Sequence, residues 1–149
     1  MSINKHTVLN ESREWTWPVA LGCTIFLASS RSQVAAPDVP DVDKIAHFFV
    51  YGLLGTLVAR VPSVAGWRPL GVYSAILVCS LYGISDEFHQ SFTPGRAVEF
   101  GDWLADTSGA ALAVFVYAHW RWYRTFMECP LIRGTQVETE GVSAPDLVP

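Results

Sequence analysis

Residues 72–96 read VYSAILVCSLYGISDEFHQSFTPGR. The segment from Val72 to Tyr82 has no charged residue, and the chain then passes directly into Asp86, Glu87, His89 and Arg96. An amphipathic surface helix would show a charged stripe every three to four residues, and none runs through this segment. Ionisable groups set against such a run are costly in apolar surroundings and are tolerated when paired or functional. With Asp102 and Asp106 just beyond, the stretch places four carboxylates between two apolar segments. The rest of the chain reads as the frame that holds them.

Three further apolar segments surround this one. Trp15 and Trp17 open a run from Pro18 to Ser30, the pairing expected where a helix meets a membrane interface. A break containing Pro37, Asp38, Pro40 and Asp41 leads to a run from Ile45 to Ala59, preceded by Asp43 and Lys44 and carrying His47. Arg60, Pro62, Gly66 and Pro69 mark a turn, and a last segment spans about Val98 to Trp120. Each run alone is shorter than the roughly 20 residues that cross a bilayer, but reaches that length with its flanking motif. The expected fold is all-α, a four-transmembrane-helix bundle with short loops. Its boundaries are an N-terminal tail over 1–14, a membrane domain over 15–124 and a polar, disordered C-terminal tail over 125–149. Ala105, Gly109 and Ala113, and separately Gly52 and Gly55, are small residues spaced for close helix approach.

Half of the 149 residues are hydrophobic and 16% are charged, well under the share in an ordinary soluble domain. The net charge of −4 and the lack of a basic block exclude a nucleic-acid partner. Cys23, Cys79 and Cys129 are too dispersed for a disulfide framework or a CxxC metal site. Two acids precede the first apolar run and no cleavage signature follows, so a secretory leader is not expected. Of the ten basic residues, Lys5, Arg13, Arg60, Arg68, Arg121, Arg124 and Arg133 fall on one predicted side, and Arg31, Lys44 and Arg96 on the other. That bias predicts a multi-pass protein of the cytoplasmic membrane, with both termini in the cytoplasm and the polar stretch outside.

Helical spacing sorts the ionisable residues. Cys79, Gly83, Asp86 and Gln90 share one face, with His89 at its edge, while Glu87 points about 100° away. Asp86 and His89 are spaced to present both side chains to one ligand, as in helix-bundle metal sites. Asp43, Lys44 and His47 cluster on the second segment, and Asp102, Asp106 and Gly109 share a face on the fourth. With helices alternating in direction, all of these meet at one end. Asp86, His89, Asp102 and Asp106 are the candidate catalytic groups, and Asp43, Lys44, His47, Glu87, Gln90 and Arg96 the candidate binding groups. Plainer roles compete for single residues. Asp43 suits a helix cap, Glu99 and Asp102 suit the N-terminal end of the fourth helix, Lys44 and Arg96 suit charge neutralisation, and Thr93 to Arg96 suits a tight turn. Six acids and histidines at one end, Asp43, His47, Asp86, His89, Asp102 and Asp106, exceed what helix ends require.

These motifs together resemble the VanZ-like family of small membrane proteins. The resemblance rests on Asp43-Lys44 with His47-Phe48, on Asp86-Glu87 with His89-Gln90, on Pro94-Gly95-Arg96, and on Asp102, Ala105, Asp106 and Gly109. It covers about Trp17 to Trp120, and the motifs stand in order at the ends of hydrophobic segments. Asp106 departs from it, since the family more often has asparagine there. The resemblance implies a multi-pass cytoplasmic-membrane protein whose namesake is associated with resistance to the glycopeptide teicoplanin.

Two classes of function follow. One is an envelope factor whose outer pocket binds the polar or anionic head group of a lipid-linked ligand, with Arg96 and Lys44 engaging the anion. The other is a membrane-embedded hydrolase or transferase acting on an envelope lipid or precursor. In that case Asp86, His89, Asp102 or Asp106 would hold a metal or act as acid and base. No G-x-S-x-G nucleophile motif is present. An oxygen-rich ligand set fits Mg or Mn rather than zinc, though no cofactor is fixed by the residues. Proton passage is disfavoured, because the polar residues cluster at one end and form no path through the centre.

Overall fold

The computed structural model describes residues 5–31, 42–94, 96 and 98–128, with side chains from Arg13 onward. Every regular element among them is helical, as expected from the sequence. The order is α1 (Lys5–Ser29), α2 (Val42–Ala59), the single turn α3 (Pro62–Ala65), a 3-10 turn (Gly71–Tyr73), α4 (Ser74–Gln90), α5 (Phe100–His119) and α6 (Arg121–Met127). Helix α1 therefore begins inside the segment expected to be a tail, and α6 reaches into the one after Arg124. The tail beyond Glu128 lies outside the described residues. Pro62 opens α3, where a missing N–H leaves no hydrogen bond unmade, and Gly71 turns the chain into α4 at φ +57°.

The bundle is built on α2 and α5, which run in the same direction and pack closest. A Cβ on Gly52 would lie 3.3 Å from the Gly109 carbonyl oxygen, and one on Gly55 3.1 Å from Ala110 Cα. Gly109 in turn rests directly on the Phe48 backbone carbonyl. The small residues at the predicted spacing let the two backbones touch. Helix α4 joins α5 through Trp103, whose indole N–H donates to the Ser80 carbonyl oxygen at 3.2 Å, and through Thr107 on Ser80 at 3.0 Å. The apolar core is small and central, with Tyr51, Leu54 and Val58 of α2, Ala75 and Cys79 of α4, Ala110 and Val114 of α5, and Ile25 of α1.

Helix α1 lies more loosely on this assembly, seating Pro18, Ile25 and Ser29 inward. The Tyr82 hydroxyl donates to the Gly22 carbonyl oxygen at 2.7 Å. Opposite flanks of α1 border two cavities. One, of about 580 Å³, is apolar and lies between Trp15, Cys23, Phe26, Val78 and Tyr82. The other, of about 260 Å³, lies against α2 and the C-terminal end of α4.

Outside the apolar core, large apolar side chains are exposed and several acids are buried. Ile45, Phe49 and Leu53 of α2, Leu77, Leu81, Ile84 and Phe88 of α4, and Leu104, Leu112 and Phe115 of α5 are exposed. Asp86, Glu87, Gln90, Asp102 and Asp106 are buried. The face that spacing singles out on α4, Cys79, Gly83, Asp86 and Gln90, is buried along its whole length. Among the described residues one helix, α2, is long and apolar enough to cross a membrane. Helix α4 has 17 residues before its 3-10 turn is added, and α5 carries Asp102 and Asp106 in its first half.

Candidate functional site

Four helix ends meet at one pole of the bundle: the C-termini of α1 and α4 and the N-termini of α2 and α5. Each brings part of a connected polar network. His47 Nδ1 donates to Asp106 Oδ1 at 2.8 Å, and its Nε2 lies 3.9 Å from Asp43 Oδ1. A carboxylate only accepts, so the hydrogen on Nδ1 is fixed by Asp106 and Nε2 is turned toward Asp43. Arg96 reaches Asp43 Oδ2 at 3.9 Å and donates to Gln90 Oε1 at 3.2 Å. Gln90 Nε2 donates to Asp86 Oδ2 at 3.2 Å, and the Ser29 hydroxyl donates to the same oxygen at 2.9 Å. Lys44 pairs with Glu99 at 3.0 Å and stands 3.8 Å from Asp102 Oδ1.

Local sequence explains the aim of each group. Asp102 sits in the first turn of α5, where a negative charge is favoured by the helix dipole. Glu87 accepts the Glu99 backbone N–H at 2.9 Å, so this carboxylate braces the start of α5. It is buried. Gly83 leaves room for Asp106, since a Cβ there would lie 2.9 Å from Asp106 Oδ2. Arg96 N–H donates to the Thr93 carbonyl oxygen at 3.1 Å and closes the turn that returns Arg96 over the site.

Asp43, Lys44, His47, Asp86, Glu87, Gln90, Arg96, Asp102 and Asp106 thus come together. His89 does not. Its Nε2 meets the Ser30 hydroxyl at 2.9 Å and its ring stacks on Phe26 at 4.1 Å, on the flank of α1. Asp86 and His89 therefore face different partners, because three residues of helix leave Asp86 on the buried stripe and His89 outside its edge. Sequence reasoning missed Ser29, Ser30 and Tyr51, and gave Glu99 a helix-end role alone. The two serines close the first apolar run, and a pair of hydroxyls at that point was the available signal.

Six buried side-chain atoms make no hydrogen bond within the chain: Tyr51 Oη, Asp86 Oδ1, Glu87 Oε1, Arg96 Nε, Asp102 Oδ1 and Asp106 Oδ2. All six lie in or beside this network, and such atoms are found nowhere else among the described residues. Leaving a buried polar group unpaired costs about 1–3 kcal/mol, so their concentration at one pole marks a place shaped for something other than stability. Tyr51, Asp86 and Arg96 line the 260 Å³ cavity together with Ser29, Asp43 and His47. The wall offers donors, acceptors and an imidazole within one small volume.

The family profile described as VanZ/LLP1 matches residues 3–122, most of the chain and the whole of this pole. The chain belongs to the VanZ/LLP1 family. It is also 35% identical over 79 residues to "Uncharacterized protein C11E3.10" of Schizosaccharomyces pombe. That match covers 52% of this chain, and the chain spans about half of the relative, 48% of its length. No solved structure matches. The VanZ/LLP1 match takes in α1, α2, α4 and α5 entire, and Asp43, His47, Asp86 and Arg96 of the sequence motifs line the 260 Å³ cavity.

Proposed function

We propose that this VanZ/LLP1 chain is a multi-pass protein of the cytoplasmic membrane whose polar pole binds the head group of a lipid-linked ligand. In this reading α1, α2, α4 with its 3-10 turn, and α5 cross the bilayer within a domain over 15–124. Residues 1–14 and 125–149 flank it, both termini are cytoplasmic, and the pole faces outward. The observation that carries the reading is the distribution of polarity: large apolar side chains outside, buried carboxylates inside, and the unpaired Tyr51, Asp86 and Arg96 atoms at the 260 Å³ cavity. A lipid environment accounts for the first half, and a polar ligand for the second. The apolar cavity on the other flank of α1 adds surface of the kind an acyl chain covers.

Arg96 and Tyr51 supply donors for the anionic part of such a head group, and Asp86 supplies an acceptor. A role in the cell envelope follows, with teicoplanin-type glycopeptide resistance as the form that the family namesake suggests. The test is mass spectrometry of lipids that co-purify with the full chain in mild detergent. One head-group class enriched over the membrane average, and lost in Arg96→Ala and Tyr51→Phe, is the expected result. The bulk membrane profile in all three proteins would overturn the reading.

A second reading, a hydrolase or transferase on the same lipid, is favoured by one observation. His47 is oriented by Asp106 as a general base is oriented by a buried carboxylate. Turnover of the co-purified lipid by the wild type and its loss in His47→Gln would select this reading over binding alone.

A further inference from the structure

The charges at the polar pole do not balance. Asp86, Glu87, Asp102 and Asp106 are buried there, with Asp43 and Glu99 more exposed at the rim. Facing them are Lys44, Arg96 and His47, the last cationic only when doubly protonated. Buried carboxylates without matching positive charge are costly, and an anionic ligand would meet a wall that is itself in negative excess.

Within this pole, one ligand atom each from Asp43, His47 and Asp102 lies within 4.8 Å of the other two. Asp102 is 4% exposed, and its Oδ1 makes no hydrogen bond. His47 presents Nε2 toward Asp43 at 3.9 Å while Asp106 holds its Nδ1 hydrogen. A carboxylate behind an imidazole in this way is the usual support of a metal-bound histidine. Two ligands on one ion, each bonded at about 2.0–2.2 Å, lie about 3–4.3 Å apart, so a set within 4.8 Å needs only a small inward shift.

We propose that Asp43, His47 and Asp102 hold one divalent transition-metal ion, with Asp106 as the positioning residue behind His47. One imidazole nitrogen with carboxylate oxygens, and room left for water or ligand, suits Mn²⁺. The ion deepens the head-group reading and rests on it for its outer ligand. It supplies the positive charge through which a pole rich in carboxylates can hold an anion.

The test uses the full chain in detergent, stripped with a chelator and titrated with MnCl₂. Free Mn²⁺ is followed by electron paramagnetic resonance and bound metal by elemental analysis. One equivalent is expected, with nitrogen coupling to the bound ion that disappears in His47→Gln. Asp102→Asn should lose binding, and Asp106→Asn should weaken it about 10–100-fold. Glu14 pairs with Arg60 away from this pole, and Glu14→Gln should bind as the wild type does. Absence of stoichiometric Mn²⁺ in the wild type, or unchanged binding in Asp102→Asn, would overturn the proposal. If Asp102→Asn does not fold, the nitrogen signal of the wild type decides alone: its absence refutes the site. Lipid enrichment without bound Mn²⁺ would sink the ion and leave the head-group reading standing. Bound Mn²⁺ without lipid enrichment would do the reverse.

Discussion

Gly83 shows how a residue with no side chain can control chemistry. Its bare Cα makes room for Asp106 Oδ2, and the other oxygen of that carboxylate holds His47. Gly83→Ala should force Asp106 to move, at a cost of about 1–3 kcal/mol. The matched control is Gly22→Ala, whose added methyl would meet the Tyr82 hydroxyl at an ordinary 3.7 Å. Thermal melting in detergent should therefore show a lower midpoint for the first variant and little change for the second. Ser29 is a comparable case from a residue the sequence made easy to overlook. Ser29→Ala removes one of two donors on Asp86 Oδ2, and a hydrogen bond to a charged group contributes about 1.5–3 kcal/mol. A melting midpoint equal to that of the wild type would show that Gln90 alone suffices.

At the scale of elements, the α2–α5 contact dominates. Gly109→Leu would drive its side chain into the Phe48 carbonyl, whereas Leu112 is exposed and Leu112→Val removes a methylene from the outer surface. The first should cost about 3 kcal/mol or more and yield aggregated protein by gel filtration. The second should elute as the wild type does. This contact was legible in the sequence because small residues at three- and four-residue spacing have few other uses in an apolar segment. The buried face of α4 was legible for a related reason: Cys79, Gly83, Asp86 and Gln90 can share one side only of a helix. The direction of His89 was not. A residue at the edge of a helical stripe is assigned to one neighbour or another by packing, and Phe26 of α1 and Ser30 just after it lie more than fifty residues away in the chain. Glu87 escaped for the same cause, since the backbone it braces belongs to the start of a different helix.

For the whole molecule, the reversed distribution of polarity makes a wider claim. Phe49, Leu81, Phe88 and Phe115 lie on the outside, and in the proposed bilayer the bias of basic residues turns the polar pole outward. A reporter fused after Pro149 should be active only on the cytoplasmic side. Activity only outside would turn the pole toward the cytoplasm and remove an external head group from consideration.

The pairing of His47 with Asp106 and the seating of Phe48 on Gly109 are neighbours in both helices. Sliding α5 along α2 by one turn would shift it about 5.4 Å, far beyond what a 2.8 Å hydrogen bond tolerates. The two contacts therefore work as a gauge. Any insertion or deletion between residues 48 and 106 that alters helix alignment will be reported at the polar pole as a disconnected histidine, even while the apolar surfaces still find partners.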